Sequence, residues 1–343
     1  MVLRNKWIWS LLTIICCIVV MAFKPVSKLK KWDAETPIHE VLFALGEEKP
    51  KHFLKKMTPE MVERGKEIIL TGQTTSPKGK KSSRVSKYYQ CTTCHNLVQE
   101  DPDLTKRDPE LRLDYAIKNK LPFLQATTFH GIVNRESWYN DDYVKKYGDL
   151  VRKANQSLEE SIQLCATECA QGRLLKGWEL EAVTAYFWSL GFKLGELGLT
   201  DQEMGQLVEG NEAADPEELR AMLKSKYMLK SPAHFGDAPP NKEKGYEGLT
   251  GNPERGKHIY ELSCQYCHKE GGVSWYTLDD NKLTFKELLR NIPKEKHFSL
   301  YQIIRYGTYA VPGHRPYMPH YPIERMSNQQ VEDLRSYIVQ EAK

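Results

Sequence analysis

The pattern Cys-x-x-Cys-His occurs twice in this chain of 343 residues. It reads CTTCH at residues 91–95 and CQYCH at residues 264–268. Two similar segments precede the copies, ERGKEIILTGQ from Glu63 and ERGKHIYELSC from Glu254. A repeated motif in repeated surroundings indicates two copies of one structural unit, and the chain is long enough for two or three domains.

The spacing within the motif predicts a covalently bound haem c at each copy. Cys91 and Cys94 are one helical turn apart, so both thiols can add to the vinyl groups of one porphyrin, and the adjacent His95 then becomes the proximal iron ligand. In the second copy the same roles fall to Cys264, Cys267 and His268. We therefore expect two haem c groups as cofactors.

The motif has two other interpretations, a redox pair and a zinc site. A thioredoxin-like redox pair would need a βαβ context, which the sequence does not contain. A single zinc site built from both motifs is compatible with the spacing alone. The matching surroundings of the two copies favour haem.

Helical patterns follow each motif at a distance, GWELEAVTAYFWSL from Gly177 and SNQQVEDLRSYIVQ from Ser327. Their apolar residues recur at helical spacing, and Ser327 with Gln330 predicts an N-terminal capping box. The order of first helix, motif, ligand loop and closing helix resembles that of class I cytochrome c domains. The resemblance covers about residues 57–195 and 250–343 and implies an all-α fold with two tandem cytochrome c domains.

The first residues predict a membrane segment in front of these domains. Two basic residues precede an apolar run of 17 residues, Trp7 to Phe23, which lies between a signal-peptide core and a span of ~20 residues. We expect an uncleaved anchor in a bacterial inner membrane with the domains in the periplasm, although lysines after the run oppose the usual charge bias. The predicted division is 1–31 signal or anchor, 50–195 first domain, 196–249 helical or loop linker and 250–343 second domain.

The charge distribution argues against a nucleic-acid partner. The formal charge of +4 includes six basic residues and no acidic one in residues 1–31, so the remainder carries −2 and has no long basic stripe. One basic segment, SPKGKKSSRVSK at residues 76–87, belongs to an insertion of 18 residues relative to the second copy. It is typical of a solvated loop, and it is also a possible docking patch for an acidic redox partner.

The second domain offers Met318 as sixth ligand of its haem iron. Met318 lies 50 residues after His268 in a Pro-bounded loop before the closing helix. A thioether ligand favours reduced iron and raises the potential. The nearby Met326 adjoins the helix cap and is predicted to pack in the core.

The first domain has no methionine between its motif and its closing helix. Aligned on Tyr186 and Tyr337, Met318 stands 19 residues before its tyrosine, Cys165 stands 21 before and Cys169 stands 17 before. A thiolate is therefore available where a thioether is expected. The alternative is a disulfide between the two, which a regular helix disfavours because Cβ atoms at i and i+4 are ~5–6 Å apart and a disulfide needs ~3.5–4.5 Å.

The segment SIQLCATECAQGR resembles the part of dihaem thiosulfate dehydrogenases in which a cysteine ligates the haem iron. In that family the ligand stands seven residues before a glycine followed by a basic residue, as Cys165 stands before Gly172 and Arg173. The haem-bearing subunit of the Sox system has a ligand cysteine in a comparable region. The resemblance implies that Cys165, rather than Cys169, is the ligand.

The stretch TTFHGIVNRESWYNDDYVKKYG contains further candidates. His130 is a rival sixth ligand of the first haem; the alternative is that His130, Arg135 and Trp138 all line the haem pocket, with Arg135 facing a propionate. These alternatives stay open at this point.

The expected function is electron transfer outside the cytoplasm, between a membrane oxidoreductase and a carrier cytochrome or oxidase. The alternative is an enzyme that oxidises thiosulfate or reduces tetrathionate at the first haem, and an electron-transfer role is favoured. A subunit of a respiratory complex would use the same residues.

Overall fold

The computed structural model describes residues 32–208, 215–296, 298–308 and 316–343. Within these residues the regular structure is helical, and extended pairing is limited to two isolated bridges, which agrees with the predicted all-α class. The predicted membrane segment at 1–31 lies outside the described residues. Inside them, no helix combines the length and apolar character needed to cross a bilayer.

The helices, numbered in chain order over the described ranges, are α1 (Ile38–Ala44), α2 (Pro59–Thr71), α3 (Pro109–Asn119), α4 (Val144–Tyr147), α5 (Leu150–Gln156), α6 (Leu158–Leu164), α7 (Gly177–Ser189), α8 (Asp201–Val208), α9 (Pro216–Lys224), α10 (Pro253–Ile259), α11 (Gln265–His268), α12 (Lys282–Asn291), α13 (Leu300–Tyr306) and α14 (Asn328–Glu341). Two π-helical turns, Cys165–Cys169 and Tyr260–Cys264, interrupt this pattern.

The two domains share one type of helix crossing, in which α2 packs against α7 and α10 packs against α14. A Cβ atom on Gly65 would lie 2.0 Å from the carbonyl oxygen of Ala182, and one on Gly256 would lie 2.0 Å from that of Asp333. Only glycine allows the two backbones to approach this closely. The repeated ERGK sequence therefore marks the same structural contact in both domains.

The sequence alignment of the two domains also holds in space. Tyr186 and Tyr337 lie at equivalent places in these crossings, with their Cβ atoms 2.8 and 2.9 Å from the Cβ that the facing glycine would carry. The predicted capping box is present, because the Ser327 hydroxyl accepts from Gln330 N at 3.0 Å and the Gln330 side chain accepts from Ser327 N at 3.0 Å.

Helix α3 belongs to the first half of the chain but packs on the core of the second domain. Its Leu113 and Ala116 are buried together with Ile259, Tyr260 and other residues of that core. The predicted linker is likewise not an extended connection. Its helices α8 and α9 pack with α1 in a separate apolar cluster.

A buried ionic cluster joins the two domains. Arg325 donates to both carboxylate oxygens of Glu100, at 2.6 and 2.9 Å, and each side chain is only 2% exposed. The buried Arg112 guanidinium lies 3.9 Å from the same carboxylate and donates to the carbonyl oxygens of Arg325 and Leu124. Burial alone would raise the pKa of Glu100, but the two guanidinium charges and the hydrogen bonds outweigh it and hold the pKa well below its ordinary value.

Glu100→Gln should destabilise the fold by about 3–5 kcal/mol at neutral pH, because it leaves buried guanidinium charge without its carboxylate. The lowered pKa makes the Glu100 contribution fully present above the ordinary glutamate pKa of 4.5. It is lost progressively as the pH falls below that value toward the lower folded pKa. In urea unfolding, the difference in the free energy of unfolding between wild type and variant should therefore decrease as the pH is lowered.

The matched control is Glu63→Gln, which removes an exposed ion pair with Lys66 at 3.7 Å. It should change the free energy of unfolding by less than about 1 kcal/mol. Equal losses in both variants would contradict a special role for the buried cluster.

Two candidate haem cavities

Each Cys-x-x-Cys-His motif lines its own cavity. The first cavity is bordered by Cys91, Cys94 and His95, and the second is bordered by the cysteines and histidine of residues 264–268. Each has a volume of about 190 Å³, where a single water needs roughly 10–15 Å³. Most of the remaining lining is aromatic or aliphatic, so both cavities suit a large flat apolar group.

The zinc interpretation has no support in the geometry. Across the parts of the chain that the structure describes, no three His, Cys, Asp or Glu side chains converge on a position for a metal ion. The two motifs instead face two different cavities.

Both motif histidines are held in the tautomer that a haem ligand needs. The Nδ1 atom of His95 lies 2.6 Å from the carbonyl oxygen of Thr127, and that of His268 lies 2.7 Å from the carbonyl oxygen of Tyr276. A carbonyl only accepts, so the ring proton is on Nδ1 and the Nε2 lone pair is free for iron. Burial lowers the pKa of His95 to about 4, which keeps the ring neutral.

Met318 lies in the lining of the second cavity, as its predicted role requires. Two hydrogen bonds of 2.8 Å to Thr308 hold its backbone, one donated by Met318 N and one accepted by its carbonyl oxygen. Met326 is 1% exposed and packs in the core of the domain, as predicted, while its side chain also borders the cavity.

Cys165 and Cys169 lie together in the lining of the first cavity, on the π turn that follows α6. The turn is closed by a 2.7 Å hydrogen bond from Ala170 N to the Cys165 carbonyl oxygen, five residues back. Single π turns of this kind occur often at functional sites. Both cysteines are free thiols in hydrogen-bond contact with each other, so the disulfide alternative is not what this structure shows.

Tyrosine hydroxyls surround the Cys169 sulfur, with Tyr147 Oη at 3.4 Å and Tyr139 Oη at 3.9 Å. The hydrogen bond from Cys165 and these hydroxyls lower the pKa of Cys169 to about 7 against the opposing effect of burial. The same contact with Cys169, together with burial, raises the pKa of Cys165. The pair therefore shares one negative charge more readily than it carries two.

Gly172 and Arg173 fix the chain that follows the π turn. A Cβ on Gly172 would lie 2.2 Å from the Val85 carbonyl oxygen, so glycine is required for this close approach. Arg173 forms a bidentate pair of 2.7 Å bonds with the fully buried Glu179 of α7. Gly172 and Arg173 of the segment SIQLCATECAQGR thus hold the backbone next to the two cysteines in place.

His130 does not line the first cavity. Its Nε2 atom lies 3.0 Å from Glu196 Oε1, and its ring packs edge-on against Phe192. Arg135 and Trp138, by contrast, belong to the lining. Of the three candidates in this stretch, two are therefore wall residues of the first cavity and His130 is not.

Sequence reasoning missed other parts of the lining. Tyr139, Tyr143 and Tyr147 recur every four residues and all face the first cavity, and this spacing was a usable signal. His320 comes from the second domain and also borders the first cavity. No local pattern signals that contact.

The two cavities share a wall. Tyr89 and Gln125 from the first domain and Tyr317 and Pro319 from the second border both. Tyr89 Oη donates to the Tyr317 carbonyl oxygen, and Gln125 Nε2 lies 2.9 Å from Cys94 Sγ. Two groups bound in these cavities would be neighbours across one layer of side chains.

Comparison with known families matches residues 251–338 to the model described as cytochrome C oxidase, cbb3-type, subunit III. Neither a curated protein nor a solved structure matches the chain. The matched residues contain the second motif, most of the lining of its cavity and most of α14. The match supports a c-type cytochrome domain over these residues, and such a domain implies covalently bound haem c and electron transfer.

Proposed function

We propose that the chain is a dihaem c-type cytochrome that transfers electrons outside the cytoplasm. The shared wall of the two cavities carries the proposal, because one layer of side chains separates their contents. Haem c, when bound, supplies the one-electron chemistry of its iron. The protein contributes the thioether attachments, the oriented histidines and a largely apolar environment.

The two sites are proposed to have unlike sixth ligands. Met318 would face His268 in the second cavity, and a thiolate from Cys165 would face His95 in the first. Thiolate donation stabilises ferric iron, whereas a thioether favours ferrous iron, so the first site would have the lower potential. Electrons would then pass from the first site to the second in the thermodynamically favourable direction.

The partners would be a membrane oxidoreductase on one side and a carrier cytochrome or oxidase on the other. Residues 1–31 would anchor the chain in a bacterial inner membrane, with both domains in the periplasm. The lysines of the 76–87 insertion are exposed beside the first domain, which suits docking of an acidic partner.

An enzyme resembling thiosulfate dehydrogenase or tetrathionate reductase is the second candidate function. It is favoured by the first cavity, whose π-turn thiols lie among tyrosine hydroxyls, with the buried Arg135 also in the lining. Cationic and hydroxyl donors of this kind suit an anionic sulfur substrate. The second cavity, whose lining contains Met318, would serve onward transfer in either case.

Stopped-flow reduction distinguishes the two functions. An electron-transfer protein should be reduced rapidly at both haems by a strong chemical donor such as dithionite, and thiosulfate at the same concentration should be without effect on the haem spectrum. Rapid reduction by thiosulfate, lost in Cys165→Ala, would replace the first function with the second.

Electron paramagnetic resonance of the ferric protein tests the thiolate ligand. A thiolate-bound low-spin haem has a compressed g-tensor, because the strong anionic donor changes the splitting of the iron orbitals. Cys165→Ala should remove this signal, and the matched variant Cys169→Ala should keep it. The reverse outcome would assign the ligand to Cys169, and a signal unchanged in both would exclude a thiolate.

A further inference from the structure

His320 belongs to the ligand loop of the second domain, two residues after Met318, yet its side chain lines the first cavity. It is 7% exposed and packs edge-on against Phe235. Its Nε2 atom is buried without a hydrogen-bond partner among the described residues. Such a polar atom at a cavity wall points to a group that the cavity holds.

The other ring nitrogen defines what Nε2 can do. Lys146 Nζ lies 2.9 Å from His320 Nδ1. An ammonium group only donates, so Nδ1 accepts, and the neutral imidazole carries its proton on Nε2. The buried atom is therefore an N–H donor without an acceptor.

Lys146 adds a positive charge on the opposite edge of the His320 ring. Its Nζ lies 5.6 Å from the ring centre of Tyr317 and 6.0 Å from that of Tyr147, both of which line the first cavity. Among the ion pairs found in the described ranges, none includes Lys146, whereas the neighbouring Lys145 pairs with Asp142 at 3.3 Å. The ammonium binds the far edge of the ring, so it fixes the tautomer and polarises the Nε2–H, which suits a carboxylate or another oxyanion as acceptor.

We propose that the His320 Nε2–H, held and polarised by Lys146 from the far edge of the ring, is an oxyanion site at the wall of the first cavity. Its ligand is a carboxylate-like oxyanion, from a propionate of the haem bound there or from a small free anion. The proposal rests on the proposed haem in that cavity. It implies that the loop carrying Met318 also influences the potential of the first haem.

Lys146→Met, with Lys145→Met as matched control, tests the site by spectroelectrochemical titration of both haems. Loss of Lys146 should lower the potential of the first haem, because an uncompensated negative charge stabilises ferric iron, and should leave the second unchanged. Lys145→Met, which removes the same charge from an exposed position, should change neither. His320→Leu should act like Lys146→Met, and His320→Gln should restore much of the effect by supplying an N–H donor.

Sodium sulfate, a non-reducing oxyanion, identifies the source of the ligand. If sulfate does not change the potential of the first haem in the wild type, and Lys146→Met lowers that potential, the ligand is a propionate. If sulfate changes the potential of the first haem saturably, and Lys146→Met needs at least tenfold more sulfate for the same change, the ligand is a free anion. If neither the variants nor sulfate alters the first haem, water satisfies the donor and the proposal is wrong.

The haem content of each preparation and the spectrum of the second haem report correct folding. A wild-type protein with haem in the second domain alone would contradict the proposed function. In that protein, calorimetric titration with sulfate would test the oxyanion site. A tenfold loss of sulfate affinity in Lys146→Met would support the oxyanion site. Absence of sulfate binding to the wild type would overturn the proposal.

Discussion

A buried carboxylate between two guanidinium groups fixes how the domains meet. Besides its pairs with Arg325 and Arg112, Glu100 accepts 2.9 and 2.8 Å hydrogen bonds from Asn96 Nδ2 and Thr128 N. Asn96 directly follows His95, and Thr128 follows Thr127, the residue whose carbonyl oxygen orients the His95 ring. One carboxylate thus fixes both the proximal side of the first cavity and, through Arg325, the position of the second domain. Breaking such a buried pair costs more than an exposed one because the remaining charge has no water to solvate it.

The position of the second domain determines the shared wall. The loop of residues 316–322 places Met318 in one cavity, His320 in the other, and Tyr317 with Pro319 between them. A small displacement of this loop would alter both sites together. The two cavities nevertheless offer different chemistry, since the lining of one includes a thioether and the lining of the other includes a pair of thiols beside tyrosine hydroxyls.

Local sequence patterns predicted the local parts of this structure well. The helix pairs, the Ser327 capping box and the equivalence of Tyr186 with Tyr337 depend on residues close in sequence or on an internal repeat. The Met326 core position and the Arg135 wall position followed from the same patterns. Cys165 and Cys169 line the first cavity, but the i,i+4 argument assumed a regular helix, and the π turn changes their contact.

The contacts between domains could not be predicted in this way. Glu100 and Arg325 are 225 residues apart in sequence, and His320 meets Lys146 across 174 residues. Such contacts depend on how two finished surfaces fit, which a single sequence does not encode in any short pattern. The packing of α3 on the second core is a further case, because its apolar face is the same whichever domain it contacts.

The proposed electron transfer between the two cavities requires that each of them hold its own covalent haem. Pyridine haemochrome absorbance, combined with the intact mass of the purified chain, counts covalent haem groups per molecule. We predict two in the wild type and one in the double variant Cys91→Ala/Cys94→Ala, with the remaining haem retaining the spectrum of the second site. A single haem in the wild type, unchanged by that double variant, would contradict the account.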